Sequence, residues 1–317
     1  MSRVFVIPDI HLKPWIFDKA EEELSKAEYD RIVCLGDLVD DWGQEENLDL
    51  YRETFEASVR FARKHPNLLF CYGNHDISYA WEAHETGYSE AARETVLQGL
   101  SSLKAALPAE NIAFIHKIDE VLFSHAGLTQ AFMSYYFPEH EGGVDDLIER
   151  INGFGKEELW NDASPIWARP QDGRIGMYPD VKLQVVGHTP VRRTDYFKGV
   201  LTVDIFSTHL NGDPIGDQRF VWVDTITGQW GYSDKGMVPE ELPDQKLDIR
   251  TYHKGDRVRF KIRWADTGEV EHIDGTVEII DRYPGGYSSI DIFSVDTLYK
   301  HIPLSDVLEY YGAEENV

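Results

Sequence analysis

Five short motifs in the chain carry residue types that bind divalent cations: Pro8-Asp9-Ile10-His11, Gly36-Asp37-Leu38-Val39-Asp40, Gly73-Asn74-His75-Asp76, Ser124-His125-Ala126-Gly127 and Gly187-His188-Thr189-Pro190. Carboxylate, imidazole and amide oxygen form a mixed nitrogen and oxygen donor set. That set suits manganese, iron, zinc or nickel rather than calcium. A carboxylate such as Asp37 can bridge two ions. Two ions about 3.5–4 Å apart polarise a phosphoryl oxygen and lower the pKa of a shared water, and the resulting hydroxide attacks phosphorus in line. A nearby imidazole can protonate the leaving oxygen. The expectation is a two-metal phosphoesterase site built from Asp9, His11, Asp37, Asn74, His125 and His188. Any one motif is weak, since a lone Asp-x-His is usually a surface turn. All five in one order, each at or near the end of an apolar run, are hard to dismiss as turns.

Residues so far apart in sequence need a scaffold that brings them together. Residues 3–8, 31–35 and 68–72 read as strands, and residues 15–27, 48–64 and 89–107 read as helices. Such alternation predicts an α/β sheet with helices on its faces. Ligand groups in such sheets gather beyond the carboxyl ends of strands. Residues 112–116 and 121–124 read as consecutive strands around a tight turn at Asp119. The stretch 129–162 is helical and irregular, and its aromatics and acids suggest an inserted cap near the site. Its segment 132–137 reads as the apolar face of a cap helix. Strands resume at 183–186, 200–205, 220–224 and 229–232.

The polar stretch 233–249 carries two prolines and no periodicity, and it reads as a linker. Beyond it, 256–264, 275–280 and 289–295 are β-rich and punctuated by Asp266-Thr267-Gly268 and Pro284-Gly285-Gly286. Short, evenly spaced strands predict a small SH3-like β-barrel. The expected domains are therefore 1–232, catalytic; 233–249, linker; and 250–317, barrel. Tyr252, Phe260, Trp264, Tyr283 and Tyr287 must fill the small core or form a recognition patch. Arg257, Arg259, Lys261 and Arg263 alternate along one strand, a hint of an anionic partner or of docking onto an acidic neighbour.

The chain has 317 residues and a net charge of -25. That acidity argues against bulk nucleic-acid binding, which needs a basic stripe. It leaves room for a phosphorylated small molecule, a nucleotide or a phosphoprotein held locally by metal ions. No apolar run approaches a membrane span. The N-terminus shows no signal peptide. The two cysteines, Cys34 and Cys71, are too few for a disulfide scaffold. They read as buried neighbours on adjacent strands in a reducing cytoplasm. His65, His84, His116, His140 and His209 lack a motif and read as surface or satisfied core positions, and the acidic pairs Glu45-Glu46 and Glu314-Glu315 read as solvated surface.

Together the five motifs resemble the calcineurin-like metallophosphoesterase superfamily. The loop Ser124-His125-Ala126-Gly127-Leu128 and the run Val185-Val186-Gly187-His188-Thr189-Pro190 look most like the branch of PPP-type protein phosphatases and bacterial diadenosine tetraphosphatase-like enzymes. The resemblance covers roughly residues 1–232. It implies a β-sandwich flanked by helices with a dimetal site at one edge. It further implies that Asp9 and His11 bind one ion, that Asp37 bridges, and that Asn74, His125 and His188 hold the second. His75 would be the general acid, oriented by Asp40, and Arg169 would grip phosphate with its planar fork. Two divalent ions are implied, with manganese placed first among manganese, iron, zinc and nickel. In the wider superfamily the last motif often reads Gly-His-x-His; Pro190 in the second histidine's place favours the PPP-like branch.

Two departures stand out. PPP-type enzymes usually carry arginine where this chain has Asp41, and Gly-Asp-x-His-Gly has become Pro8-Asp9-Ile10-His11-Leu12. A carboxylate facing the substrate would repel a dianion. A diester or pyrophosphate would suffer less, unless Asp41 points away and Lys13, Arg192 or Arg193 supplies the charge. Protein phosphatase, nucleotide phosphodiesterase and dinucleoside polyphosphate hydrolase all remain open, beside a non-catalytic scaffold acting through the barrel.

Overall fold

The computed structural model describes residues 2–138, 143–170, 175–240, 252–264, 270–282 and 288–313. His140, Tyr283, Tyr287, residues 241–249 of the expected linker, the turns at 266–268 and 284–286, and the tail pair Glu314-Glu315 lie outside them. The described residues divide into two compact units, one ending at Glu240 and one beginning at Tyr252.

The first unit runs β1 (Arg3–Ile7), α1 (Trp15–Leu24), β2 (Arg31–Cys34), α2 (Leu48–Lys64), β3 (Leu68–Cys71), α3 (Asn74–Trp81), α4 (Arg93–Ala106), β4 (Ile112–Ala113), β5 (Ile115–Ile118) and β6 (Val121–Ser124). It continues α5 (Gln130–Tyr136), α6 (Val144–Asn152), α7 (Lys156–Leu159), β7 (Leu183–Val186), β8 (Asp195–Phe197), β9 (Val200–Thr202), β10 (Val221–Asp224) and β11 (Trp230–Tyr232). Two mixed sheets form, ordered β11-β10-β1-β2-β3-β4 and β5-β6-β7-β9-β8. Alternation within the strands decides which face goes where, because successive side chains point to opposite sides. Val4, Val6, Val33 and Leu35 pack with Val121, Phe123, Val185 and Leu201 in a core shared by both sheets. Phe5, Ile7, Ile32 and Phe70 face a second core with Phe17, Tyr51, Phe55 and Leu100 of the helices. The fold is thus mixed α/β, two sheets with helices against them.

Helix α2 shows the helical period clearly. Tyr51, Phe55, Val59 and Ala62 are buried at spacings of three and four, and Asn47 caps its start by accepting from the Leu50 N–H. At Gly99 of α4 an added Cβ would strike the Phe55 ring, so glycine lets the two helices close.

Four expectations need correction. The run 112–116 is two strands, because the chain leaves the first sheet after Ala113 and joins the second at Ile115. Asn152 bridges the break, its side chain accepting from the Phe114 and Ile115 amides. The described residues of the stretch 129–162, expected as a cap near the site, pack into the main core instead. Phe132, Met133, Leu147, Ile151 and Leu159 belong to the main core, and none of the described residues from 129 to 162 lines the site cavity. Helix 15–27 stops at Leu24, and helix 89–107 begins only at Arg93.

After β11 the chain stays tied to the first unit: Ser233 N–H donates to Phe220 O at 3.0 Å and Glu240 N–H to Trp230 O at 2.8 Å. The second unit is a five-stranded antiparallel sheet of β12 (Asp256–Arg263), β13 (Val270–Arg282), β14 (Ser288–Ser294), β15 (Thr297–Pro303) and β16 (Val307–Ala313), ordered β15-β14-β13-β12-β16. No ladder joins β15 to β16 among the described residues, so the sheet is not closed. Tyr252 and Phe260 fill its core, whereas Trp264 is exposed. The basic alternation is compensated at its centre: Arg259 forks onto Asp274 at 2.7 and 2.9 Å, and Lys261 sits 3.4 Å from Asp306.

Candidate metal centre

Asp9, Asp37, Asn74, His125 and His188 leave the carboxyl ends of β1, β2, β3, β6 and β7 respectively. Strands β1, β2 and β3 are parallel in one sheet, and β6 and β7 are parallel in the other. Their ends therefore emerge on a common side in each sheet. The backbone turns left-handed at His11, Asp37, Asp40 and His188, with φ of 43°, 45°, 63° and 63°. Residues with a Cβ seldom adopt that region, and each costs on the order of 1–3 kcal/mol unless its surroundings enforce it.

Here they do. The buried Asp76 carboxylate accepts from the Asp37 and Leu38 amides at 2.8 Å and from Gly73 at 3.0 Å. Asp37 O accepts from Ile10 and His11, locking the first motif to the second. Asp9 Oδ2 accepts from the His188 amide at 2.8 Å, and Asp37 Oδ1 from the His75 amide at 3.0 Å. A Cβ on Gly187 would fall on the Asp9 carboxylate, and one on Gly73 on that of Asp37. Glycine at both places is what lets backbone approach these two acids.

The donor atoms converge on one point. Around His125 Nε2 lie Asn74 Oδ1 at 2.9 Å, His188 Nδ1 at 3.0 Å and Asp37 Oδ2 at 3.2 Å. His11 Nε2 approaches Asp37 Oδ2 from the other side at 3.6 Å. The outer ring nitrogens are committed elsewhere: His125 Nδ1 to Leu35 O at 2.9 Å, and His11 Nδ1 to Asp40 O at 2.8 Å. With Nδ1 donating outward, the inward nitrogen of each ring is the one that can offer a lone pair to an ion once the ring is neutral. Asp9 Oδ1 is buried with no hydrogen-bond partner among the described residues. A cation would satisfy it, and the donor set as a whole fits divalent transition ions.

Electrostatics follow from burial and crowding. Burial pushes the Asp37 carboxyl up, but His125, His75 and His11 outweigh it and hold the group below the ordinary carboxylate range. Burial and then Asp204 raise Asp9. Burial and then His125 drive His188 well down, and burial lowers His11, so both stay neutral. Against burial, Asp37 and Asp9 lift His125 to about 9, and Asp37 and Asp40 lift His75 to about 10.

His75 opens α3 beside this cluster. Its Nδ1 lies 3.0 Å from Asp40 Oδ2, and the hydroxyls of Tyr51 and Tyr79 both donate to Asp40 Oδ1. A cavity of about 370 Å³ opens here, lined by His11, His75, Arg169 and His188 among others. Arg169 donates to His188 O at 3.1 Å and to Thr189 Oγ1 at 2.9 Å on the cavity wall. Asp41 also lines the cavity, yet its charge is spoken for: Oδ2 takes Lys13 Nζ at 2.8 Å and Oδ1 takes the Trp42 amide at 2.9 Å. Lys13 Nζ donates onward to His11 O at 2.9 Å. Arg192 and Arg193 are exposed and do not line the cavity.

All nine expected site residues thus border one cluster and its cavity. Several neighbours escaped sequence reasoning. Asp76 was in view within its motif but carried no role. Asp204 follows β9 much as Asp37 follows β2, so its position was a usable signal; it accepts from Ser207 Oγ at 2.7 Å, and among the described residues its buried Oδ2 has no hydrogen-bond partner. Tyr51, Tyr79 and Glu85 carried no signal at all.

Paired sheets with a nest of acids and imidazoles at one edge define a metallophosphoesterase. The chain belongs to the calcineurin-like phosphoesterase family, whose model matches residues 2–192, and it is a metal-dependent phosphoesterase. The chain is similar to a protein serine/threonine phosphatase from Saccharomyces cerevisiae at 15% identity, covering 70% of this chain and 72% of that one, with a TM-score of 0.43. A metallophosphoesterase from Sphaerobacter thermophilus is similar at 16% identity, covering 73% and 86%, with a TM-score of 0.37. An archaeal phosphodiesterase is similar at 11% identity, covering 75% and 99%, with a TM-score of 0.32. No curated protein matches the chain significantly. Among the described residues no helix is long and apolar enough to cross a membrane.

Proposed function

We propose that the chain hydrolyses a phosphodiester or phosphoanhydride with two divalent ions. Asp9, His11 and Asp37 would hold one, and Asp37, Asn74, His125 and His188 the other. The carrying observation is the meeting of Asp37, Asn74 and His188 within 3.2 Å of His125 Nε2. When bound, two such ions supply Lewis acidity toward a phosphoryl oxygen and toward the attacking water. Manganese is the first candidate. Arg169, at the cavity wall, receives a non-bridging phosphate oxygen. His75, held through Nδ1 by Asp40, gives a proton to the leaving oxygen; in the metal-free chain, against burial, Asp37 and Asp40 raise its pKa.

The Lys13–Asp41 pair supports the choice of diester or anhydride. Lys13 cancels the Asp41 charge, so Asp41 neither repels nor grips, and among the described residues Arg169 is the one arginine on the wall where the related enzymes usually carry a second. A dianionic monoester needs more positive charge than that. For the second unit we infer a partly open SH3-like barrel. The return of β16 beside β12 and the short 3-10 turn Leu304–Asp306 before it support that reading. The bonds of Ser233 to Phe220 and of Glu240 to Trp230 favour carrying the catalytic domain on to Glu240, past the expected limit at 232. The free, buried Cys34 and Cys71 fit a reducing cytoplasm.

The test is hydrolysis of an aryl monoester, an aryl diester and a dinucleoside polyphosphate with Mn, Ni, Zn and Mg. Asn74→Ala and His188→Ala should each abolish turnover and lower bound metal while far-UV circular dichroism stays unchanged. Full activity in both variants sinks the ligand assignment, and preference for the monoester sinks the substrate class.

A further inference from the structure

Glu85 stands in the loop after α3, and its side chain is 6% exposed. Its Oε2 accepts a hydrogen bond from Asn74 Nδ2. Its Oε1 is buried without a hydrogen-bond partner among the described residues and lies 3.6 Å from His75 Nδ1. The second fact bears on the first. Asn74 and His75 face this buried side chain, and burying a carboxylate is costly.

The Asn74 amide must present one particular end to the centre. Its oxygen points at His125 Nε2, 2.9 Å away, among the donors that converge there. A flipped amide would turn two N–H bonds toward a cation and so repel it. The two orientations occupy almost the same space, and packing distinguishes them poorly. A carboxylate oxygen that takes a hydrogen bond from the amide NH2 does distinguish them, because only one of the two orientations offers it an N–H. Placed on the outer side of the amide, it stabilises the NH2-outward orientation and penalises the other.

We propose that Glu85 is a positioning residue that fixes the Asn74 amide with its oxygen toward the second ion. The proposal rests on the dimetal reading above. Glu85 touches neither ion nor substrate in this role. It raises the affinity of the site by removing the wrong amide orientation before the ion arrives.

The experiment uses the full chain, stripped of metal and titrated with Mn2+ alone against a fluorescent chelator. Glu85→Ala should weaken one of the two ions by about 10–100-fold, as loss of a hydrogen bond behind a ligand commonly does. Glu85→Gln, which can still turn an oxygen to Asn74, should stay within a few-fold of wild type. In an Asn74→Ala background Glu85→Ala should add nothing further, because its effect runs through Asn74. Wild-type affinity for both ions in Glu85→Ala overturns the proposal, and so does an undiminished effect of Glu85→Ala in the Asn74→Ala background. A second readout tolerates a poorly folding alanine variant: in metal-free protein Glu85→Gln should move the Asn74 side-chain NH2 resonance upfield, since a neutral acceptor is weaker. An unmoved resonance overturns the proposal. If wild type binds fewer than two ions, or Asn74→Ala binds Mn2+ as wild type does, the dimetal reading has failed and takes this inference with it.

Discussion

Lys13 Nζ lies 2.8 Å from Asp41 Oδ2, with the two side chains 8% and 18% exposed. The pair sits at the wall where arginine would serve the related phosphatases, and it joins the loop after β1 to the loop after β2. Removing one partner from a buried pair leaves the other charged and desolvated. Asp41→Asn should therefore destabilise the protein by about 3 kcal/mol in urea unfolding. Lys13→Met should cost less, because Asp41 keeps its bond from the Trp42 amide and some water. Asp41→Arg sets two cations together. It should lower stability and leave turnover of p-nitrophenyl phosphate no higher; a clear gain in monoester turnover contradicts the arrangement.

Asp40 offers a finer comparison. Tyr51 and Tyr79 donate to the same oxygen, Asp40 Oδ1, but Tyr79 Oη also accepts from the buried Ser89 amide at 2.9 Å. Tyr51→Phe removes one hydrogen bond and should cost about 1 kcal/mol. Tyr79→Phe removes one and also strands a buried N–H, so about 2 kcal/mol is expected. Denaturant unfolding of metal-free protein checks the order; equal costs would mean the Ser89 contact carries no weight.

These neighbours mark where sequence reading stops. Asp9, Asp37, Asn74 and His188 were legible because each follows an apolar run that must be a strand, and glycine beside three of them signals tight backbone. Helix α2 was legible because its apolar residues keep one period throughout. Tyr51 and Tyr79 lie inside helices, where an aromatic reads as core whether or not its hydroxyl holds a buried carboxylate. Glu85 lies in an irregular loop whose course is decided by tertiary contacts. The division of 112–116 between two sheets was hidden for a related reason. A strand's residues do not record which sheet it pairs with, and here the freed amides at the break are held by Asn152, far along the chain.

Gly187 gives a prediction of pure geometry. Its added Cβ would overlap the Asp9 carboxylate, so Gly187→Ala must push Asp9 off its bond to the His188 amide. Crowding of this kind costs about 1–3 kcal/mol. The larger effect should fall on the ion that Asp9 and His11 would hold. Metal analysis after dialysis should show close to one Mn2+ per chain where wild type keeps two. Two retained ions would mean Asp9 is not among the ligands.

The pH dependence of metal uptake follows from His125. In the metal-free protein Asp37 and Asp9 lift this imidazole to about 9 against the opposing effect of burial. A raised folded value stabilises the metal-free protein fully below the unfolded value of roughly 6.5, and that contribution is lost as pH rises through about 9. A metal ligand must be deprotonated, so the same proton competes with the ion. Between pH 6.5 and 9 the stability of metal-free protein should fall while Mn2+ affinity rises, by up to about tenfold per pH unit for one displaced proton. Calorimetry of Mn2+ binding at pH 7.5 in buffers of different ionisation enthalpy should show close to one proton released for His125. His125→Gln should abolish that release along with tight binding at one site. Affinity independent of pH across this window would show that His125 enters the metal-free state neutral, and that the two carboxylates do not act on it as their positions require.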